Sequence, residues 1–142
     1  MEFKTADMGD FDIAFDFFEK LWTSITYDKD EMRKVYERTI ADPNSFVFFV
    51  IDNGDYKGLC HGNYYDTFWM CGLTCYVSSL ITKESERGKG YGTRLLDHAK
   101  ELAMKKGCKA LTLMSAFQRT DAHQFYENYG FEKGCYGFEY IL

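Results

Sequence analysis

Proline is almost missing from the 142 residues, with one at position 43, and no apolar run approaches the ~20 residues a membrane-spanning helix needs. A basic surplus is missing too. The formal net charge is −5, which excludes a general nucleic-acid binder, since neutralising phosphates requires a cationic face. A disulfide frame is not expected either: the five cysteines (60, 71, 75, 108 and 135) are odd in number and suit a reducing compartment. Cys71 and Cys75 stand four apart, but no second close pair of ligands follows at a zinc spacing. His61 beside Cys60 adds too little, so small buried thiols are expected rather than a metal. The opening Met1-Glu2-Phe3-Lys4 lacks the basic-then-apolar layout of a secretory signal. These absences predict a soluble cytoplasmic protein with neither membrane nor nucleic acid as partner. No repeat or linker divides the chain, so residues 1–142 read as a single domain.

Aromatics, by contrast, are abundant: 13 Phe, 11 Tyr and two Trp make up 18% of the chain, enough large rings to offset the entropy of ordering it. The acidic surplus is uneven. Residues 1–50 hold 11 Asp and Glu against six Lys and Arg, while residues 51–142 hold 11 of each. This imbalance reads either as a solvated helix surface or as a negative field that draws in a cationic substrate.

Periodicity places the elements. Glu2–Ala6 is a short strand. Phe11, Ala14, Phe15, Phe18, Leu21 and Trp22 recur at helical spacing over Asp10–Trp22, and Met32, Val35, Tyr36, Thr39 and Ile40 do so over Asp30–Ile40, where Pro43 ends the run. Ser45–Asp52 and about Tyr56–Tyr65 form a hairpin about Asn53-Gly54, two residues that tolerate positive φ. Cys71–Thr82 is a central strand. A helix over Gly88–Lys106 ends at Gly107, a strand covers Lys109–Ala116, and a helix over Thr120–Tyr129 ends at Gly130. Phe131–Leu142 is expected to add one or two last strands. The alternation implies an α/β (α+β) fold, a mixed sheet with helices packed on its faces.

Glycines at 88, 90 and 92 fall where the central strand turns into the long helix. They bare main-chain N–H groups at the positive end of a helix dipole, and Arg87 and Lys89 add cationic charge, a setting that suits a pyrophosphate as well as it suits a plain tight turn. The spacing matches neither the P-loop nor the G-x-G-x-x-G dinucleotide pattern, which would need glycine at Thr93.

Arg87-x-x-Gly90-x-Gly92 after an apolar strand, with Leu95-Leu96 in the helix, resembles the acetyl-CoA motif of the GNAT N-acetyltransferase superfamily. Ala122-His123-Gln124-Phe125-Tyr126-Glu127-Asn128-Tyr129-Gly130-Phe131 is similar to that family's second motif, A-x-x-F-Y-E-x-x-G-F, at a fitting separation. Together the two matches cover roughly residues 73–132.

The resemblance implies a mostly antiparallel mixed sheet with helices on both faces. Its fourth and fifth strands, here Cys71–Thr82 and Lys109–Ala116, splay apart to admit the cofactor. Arg87, Gly88, Lys89, Gly90, Tyr91, Gly92 and Thr93 would bind the CoA pyrophosphate. Leu80, Ile81 and Thr82 would pair with the pantetheine arm, and an N–H among them would stabilise the oxyanion as a neutral amine attacks the thioester. Tyr126 matches the residue that protonates the departing thiolate. Two positions depart from the family pattern. Where members often carry a carboxylate base, this chain has Ser78-Ser79; Ser79 could order a relay water, and the base stays unassigned. Arg119 stands where many members have an asparagine touching the cofactor, and it either reaches a CoA phosphate or faces solvent.

The expected function is acetyl-CoA-dependent N-acetylation of a primary amine, on a cationic small molecule or a protein, by a monomer or homodimer using no metal. The alternative is a non-catalytic acyl-CoA-binding or sensing domain.

Overall fold

The computed structural model describes residues 1–142, which form two compact units, Met1–Thr112 and Leu113–Leu142. The first unit is built on a five-stranded mixed sheet in the order β1 (Glu2–Thr5), β2 (Ser45–Asp52), β3 (Asp55–Thr67), β4 (Gly72–Thr82) and β5 (Ala110–Leu113), the last strand running one residue past the unit's end. The first four strands pair antiparallel in sequence order, while β5 returns to β4 through a helix, the crossover that parallel strands require. Asn53 and Gly54 join β2 to β3 with φ of 53° and 73°, the primed turn expected from the sequence.

Two helices pack on one face. In α1 (Phe11–Leu21) the buried stripe is Phe11, Ala14, Phe15, Phe17 and Phe18. In α2 (Lys29–Ala41) the Asp28 carboxylate accepts hydrogen bonds from the N–H groups of Asp30 and Glu31 at 3.0 and 3.1 Å, capping the helix, and Tyr36 is its buried residue. These side chains close over Val47, Phe49, Ile51, Leu59 and Ile81 from the sheet. Each fully buried ring or aliphatic side chain here contributes roughly 1.5–3 kcal/mol of burial free energy. At the cluster's edge Asp10 is held by Lys4, by the Asp7 N–H at 3.0 Å and by the Tyr56 hydroxyl at 2.9 Å. Burial pulls its carboxyl up, but these partners outweigh burial and hold it below its ordinary range.

On the opposite face lies α3 (Tyr91–Lys106), which buries Leu95, Leu96, Ala99 and Ala103. It begins at Tyr91 rather than at Gly88, because Gly88 and Gly90 take positive φ and so stand outside the helix. His98 from α3 stacks on Phe3 (centroids 4.2 Å apart) and meets Phe48 edge-on (4.6 Å), tying the helix to β1 and β2. Burial pushes the His98 pKa down, with Glu101 opposing, and burial lowers His61 as well.

The unfolded chain therefore takes up protons at the ordinary histidine value of 6.5 while the folded chain resists them, so stability falls as pH drops below that value. The depressed carboxylates Asp10, Asp52, Asp55 and Glu86 act lower down, around and below their ordinary 3.8–4.5. A lower urea midpoint at about pH 5.5 than at about pH 7.5 is expected, with a smaller drop in His98→Gln.

The second unit holds α4 (Thr120–Tyr129), whose bounds match the sequence reading. Its C-terminus is closed by the N–H groups of Gly130 and Phe131, which donate to the Tyr126 carbonyl at 3.2 and 3.0 Å. The strands expected over Phe131–Leu142 do not form: residues 131–142 carry no helix or strand, and all but Phe131 are exposed. Gly134 and Gly137 interrupt the segment, and without one shielded side its aromatic residues have no sheet face to fill. The Lys109–Ala116 strand likewise shortens to Ala110–Leu113.

Candidate functional site

Residues 87–93, the bend expected to hold an anion, lie open. A short 3₁₀ turn (Glu84–Glu86) follows β4, Arg87 is extended, and Gly88 and Gly90 have φ of 80° and 86°. A Cβ at either glycine would meet nothing within 4 Å, so it is backbone conformation, not crowding, that calls for glycine. Arg87 to Gly90 are exposed, Tyr91 and Gly92 partly buried, and Thr93 exposed. Gly90 is the N-cap of α3, and its carbonyl accepts from the Arg94 N–H at 3.2 Å, leaving the helix's first N–H groups directed outward.

Ion pairs brace the bend. Glu86 accepts from Lys89 at 2.7 Å and from Lys57 at 2.9 Å, Asp55 pairs with Lys83 at 2.7 Å, and the Tyr91 hydroxyl donates to Asp52 at 2.8 Å. Lys89, then Lys57, holds the Glu86 carboxyl below its ordinary range, and Lys83, then Lys57, does the same for Asp55. Lys57 is the unpaired residue where the register slips between Val50–Gly58 and Ile51–Tyr56, which turns it toward the bend.

Next to the bend is the far half of β4. The Lys109 N–H donates to the Leu73 carbonyl at 2.8 Å, so β5 starts beside the start of β4. With four residues against eleven, β5 reaches at most about Val77, and the Ser78–Thr82 edge extends beyond it. Leu80, Ile81 and Thr82 lie on that stretch and pair on their other side with Cys60, Leu59 and Gly58. This is the stretch along which the sequence resemblance implied that the fourth and fifth strands part.

Ser79 is 2% exposed, and its Oγ has no hydrogen-bond partner. It sits just after a bulge: His61 pairs with Ser79 and Gly62 with Val77, so Ser78 is the extra residue. His61 thus faces Ser79 across the strands. From sequence His61 counts only as an addition to a thiol pair, because nothing local reveals a cross-strand partner 18 positions away.

Arg119 and Tyr126 belong to the second unit. Arg119 is the N-cap of α4, its carbonyl accepting from the His123 N–H at 3.1 Å, and its side chain is partly buried. Tyr126 lies two turns further along α4, its ring 5.4 Å from that of Phe125 and 5.8 Å from that of Phe131. The acidic surplus near α1 is partly spent internally, since Asp12 pairs with Lys29 at 3.0 Å and approaches Arg33 at 3.9 Å, while Asp16 and Glu19 remain exposed.

The profile of the acetyltransferase (GNAT) family matches residues 11–131. An uncharacterized N-acetyltransferase, YhdJ of Bacillus subtilis (strain 168), is 33% identical over 90 residues, 63% of this chain and 63% of that protein's length. The aminoalkylphosphonate N-acetyltransferase of Salmonella typhimurium (strain LT2) is 24% identical over 115 residues, 81% of this chain and 75% of the relative. Among solved structures, the aminoglycoside N-acetyltransferase AAC(6')-Iy in complex with CoA superposes with a TM-score of 0.86 over 99% of this chain and 93% of that one, at 14% identity, a likeness of fold alone.

Proposed function

Because the chain belongs to the acetyltransferase (GNAT) family, we propose that it transfers an acetyl group from acetyl-CoA to a primary amine. The observation that carries the reading is the exposed, glycine-built bend at 87–93 beside the stretch of β4 that runs past the end of β5. Main-chain N–H groups at the start of α3 take the pyrophosphate, and Arg87 and Lys89 add charge. The pantetheine arm lies along Leu80, Ile81 and Thr82, bringing the thioester beside Ser79, with an N–H of that stretch facing the developing oxyanion. Tyr126, assigned by its motif, gives the thiolate its proton. Arg119 departs from the family pattern, standing where many members have an asparagine that touches the cofactor, and in this reading it reaches a CoA phosphate instead.

Exposed Asp16 and Glu19 favour a cationic small molecule as acceptor. Two similar proteins whose names give amine-bearing small molecules, an aminoalkylphosphonate and an aminoglycoside, support a small-molecule amine, and of the two the aminoglycoside is the cationic one. In this reading residues 1–142 serve as one catalytic domain working in the cytoplasm.

The test is thiol release from acetyl-CoA with a panel of polyamines, aminoglycosides, aminoalkylphosphonates and lysine peptides. Turnover with a small cationic amine is expected. The absence of a carboxylate on β4 favours a second reading, an acyl-CoA-binding domain without catalysis. Thermal stabilisation by acetyl-CoA without release for any amine would establish that alternative.

The bend has its own prediction. Alanine at Gly90 fits the space but not the positive φ, a strain of about 1–2 kcal/mol. If that strain is relieved by reshaping the bend, Gly90→Ala weakens acetyl-CoA binding about tenfold by calorimetry.

A further inference from the structure

We propose that His61 is the proton acceptor of this reaction, drawing the proton off the acceptor amine through the Ser79 hydroxyl. The inference rests on the acetyltransferase reading and assigns the base that β4, with sequence GLTCYVSSLIT, does not itself contain.

Register brings the two residues together. His61 pairs with Ser79, Val47 with His61, and Leu59 with Ile81, so His61 and Ser79 share the sheet face on which α1 and α2 pack. Facing side chains in an antiparallel pair have Cβ atoms about 4.5–5.5 Å apart, and since Ser79 Oγ makes no direct hydrogen bond, one water bridges the hydroxyl to the imidazole in the relay. The bulge at Ser78 fixes this alignment, since without the extra residue Ser79 would fall on the other face.

The Ser79 hydroxyl is the second observation. A buried Oγ with no partner costs about 1–3 kcal/mol and is uncommon in folded proteins. Ser79 lies at the inner end of the β4 edge where the thioester is placed, so its missing partner is a group that arrives with the substrates.

The surroundings keep His61 neutral. Burial lowers its pKa, and no charged side chain contributes to the shift. β2 offers Val47, and β4 offers Ser79 with Tyr76 a step along the register. α1 and α2 cover this face of the sheet with Phe15, Phe17, Phe18 and Tyr36. His61 keeps a minor part of its surface open to solvent, so a proton it accepts can pass on to water.

The balance is simple. The alkylammonium gives one proton through Ser79 Oγ and the bridging water to a ring nitrogen of His61, which later releases it to solvent. The freed nitrogen lone pair forms the C–N bond and gives a tetrahedral oxyanion, whose collapse breaks the C–S bond. The second nitrogen proton, lost when the tetrahedral intermediate collapses, is balanced by the proton taken up on the CoA sulfur.

The experiment follows thiol release against pH, from about 5.5 to 9, for the full-length protein and its His61→Gln, His61→Ala and Ser79→Ala variants, with acetyl-CoA affinity measured in parallel. The general-base contribution is typically about 10²–10⁴-fold. His61→Gln is expected to lose about 100-fold in kcat/KM at neutral pH and to lose the acidic limb of the profile, with acetyl-CoA affinity unchanged. Added imidazole is expected to restore part of the rate in His61→Ala, and Ser79→Ala to lose about tenfold while keeping the limb. An acidic limb that persists in His61→Gln at a rate within threefold of the parent, or an imidazole-insensitive His61→Ala that still binds acetyl-CoA, overturns the assignment. Absence of turnover by the parent protein with every amine overturns the enzyme reading itself, a different failure.

Discussion

Tyr126→Phe is expected to slow amine-dependent thiol release by about 10²–10³-fold while leaving acetyl-CoA affinity and the thermal midpoint nearly unchanged. The substitution removes one oxygen and keeps the ring, so the contacts that seat it against Phe125 and Phe131 survive. Ring–ring contacts of this kind contribute about 0.5–1.5 kcal/mol each, and none depends on the hydroxyl. In the proposed role of Tyr126 the loss falls on a proton transfer, since the ring packing is kept. A thiolate expelled without a proton is a poorer leaving group than a thiol, which makes kcat the parameter expected to fall. The measurement is steady-state release of free thiol alongside a thermal shift with acetyl-CoA. A variant as fast as the parent would return Tyr126 to an ordinary packed aromatic.

Gly62→Ala should do its damage through the sheet. A Cβ at this position would meet the Phe46 ring and would stand 2.7 Å from the Tyr76 carbonyl oxygen. The ring can swing away, but the carbonyl belongs to β4 and can move only with the strand. Overpacking of this sort costs about 1–3 kcal/mol, and the backbone contact puts this site toward the top of that range. Gly62 pairs with Val77, the last residue before the bulge, so a displaced Tyr76 carbonyl would disturb Ser78 and the alignment of Ser79 with His61. A urea midpoint lowered by the equivalent of about 3 kcal/mol is expected, together with a fall in turnover larger than the unfolded fraction explains. Stability within 0.5 kcal/mol of the parent, a margin usual for neutral surface changes, would show that β4 yields freely there.

Local patterns were readable wherever a few adjacent residues decide the outcome. Ser45–Asp52 and Thr120–Tyr129 form with the bounds expected, because an apolar β-branched run and a glycine-closed helical stripe each carry their own signal. The Asn53-Gly54 turn needed only two residues tolerant of positive φ. The bend at 87–93 was visible as a cluster of glycines, although its first half proved to be strand-like and left-handed, not helical.

Non-local geometry was hidden. Nothing in the sequence near Ser78 announces a bulge, which depends on the register with β3. Without that register, His61 and Ser79 are unrelated residues on two strands. The Phe131–Leu142 segment differs for the opposite reason: one or two last strands are expected around Gly134 and Gly137, but a strand needs a neighbour to pair with, and that requirement is not written in the segment itself.

The stretch of β4 beyond β5 has a consequence for the empty protein. Peptide groups along a strand margin will accept any extended chain that offers them hydrogen bonds, another molecule's margin included. The ligand that completes the site would then also act as a plug against self-association. Cofactor-starved preparations should be the ones that cloud on storage, and added CoA should keep them clear.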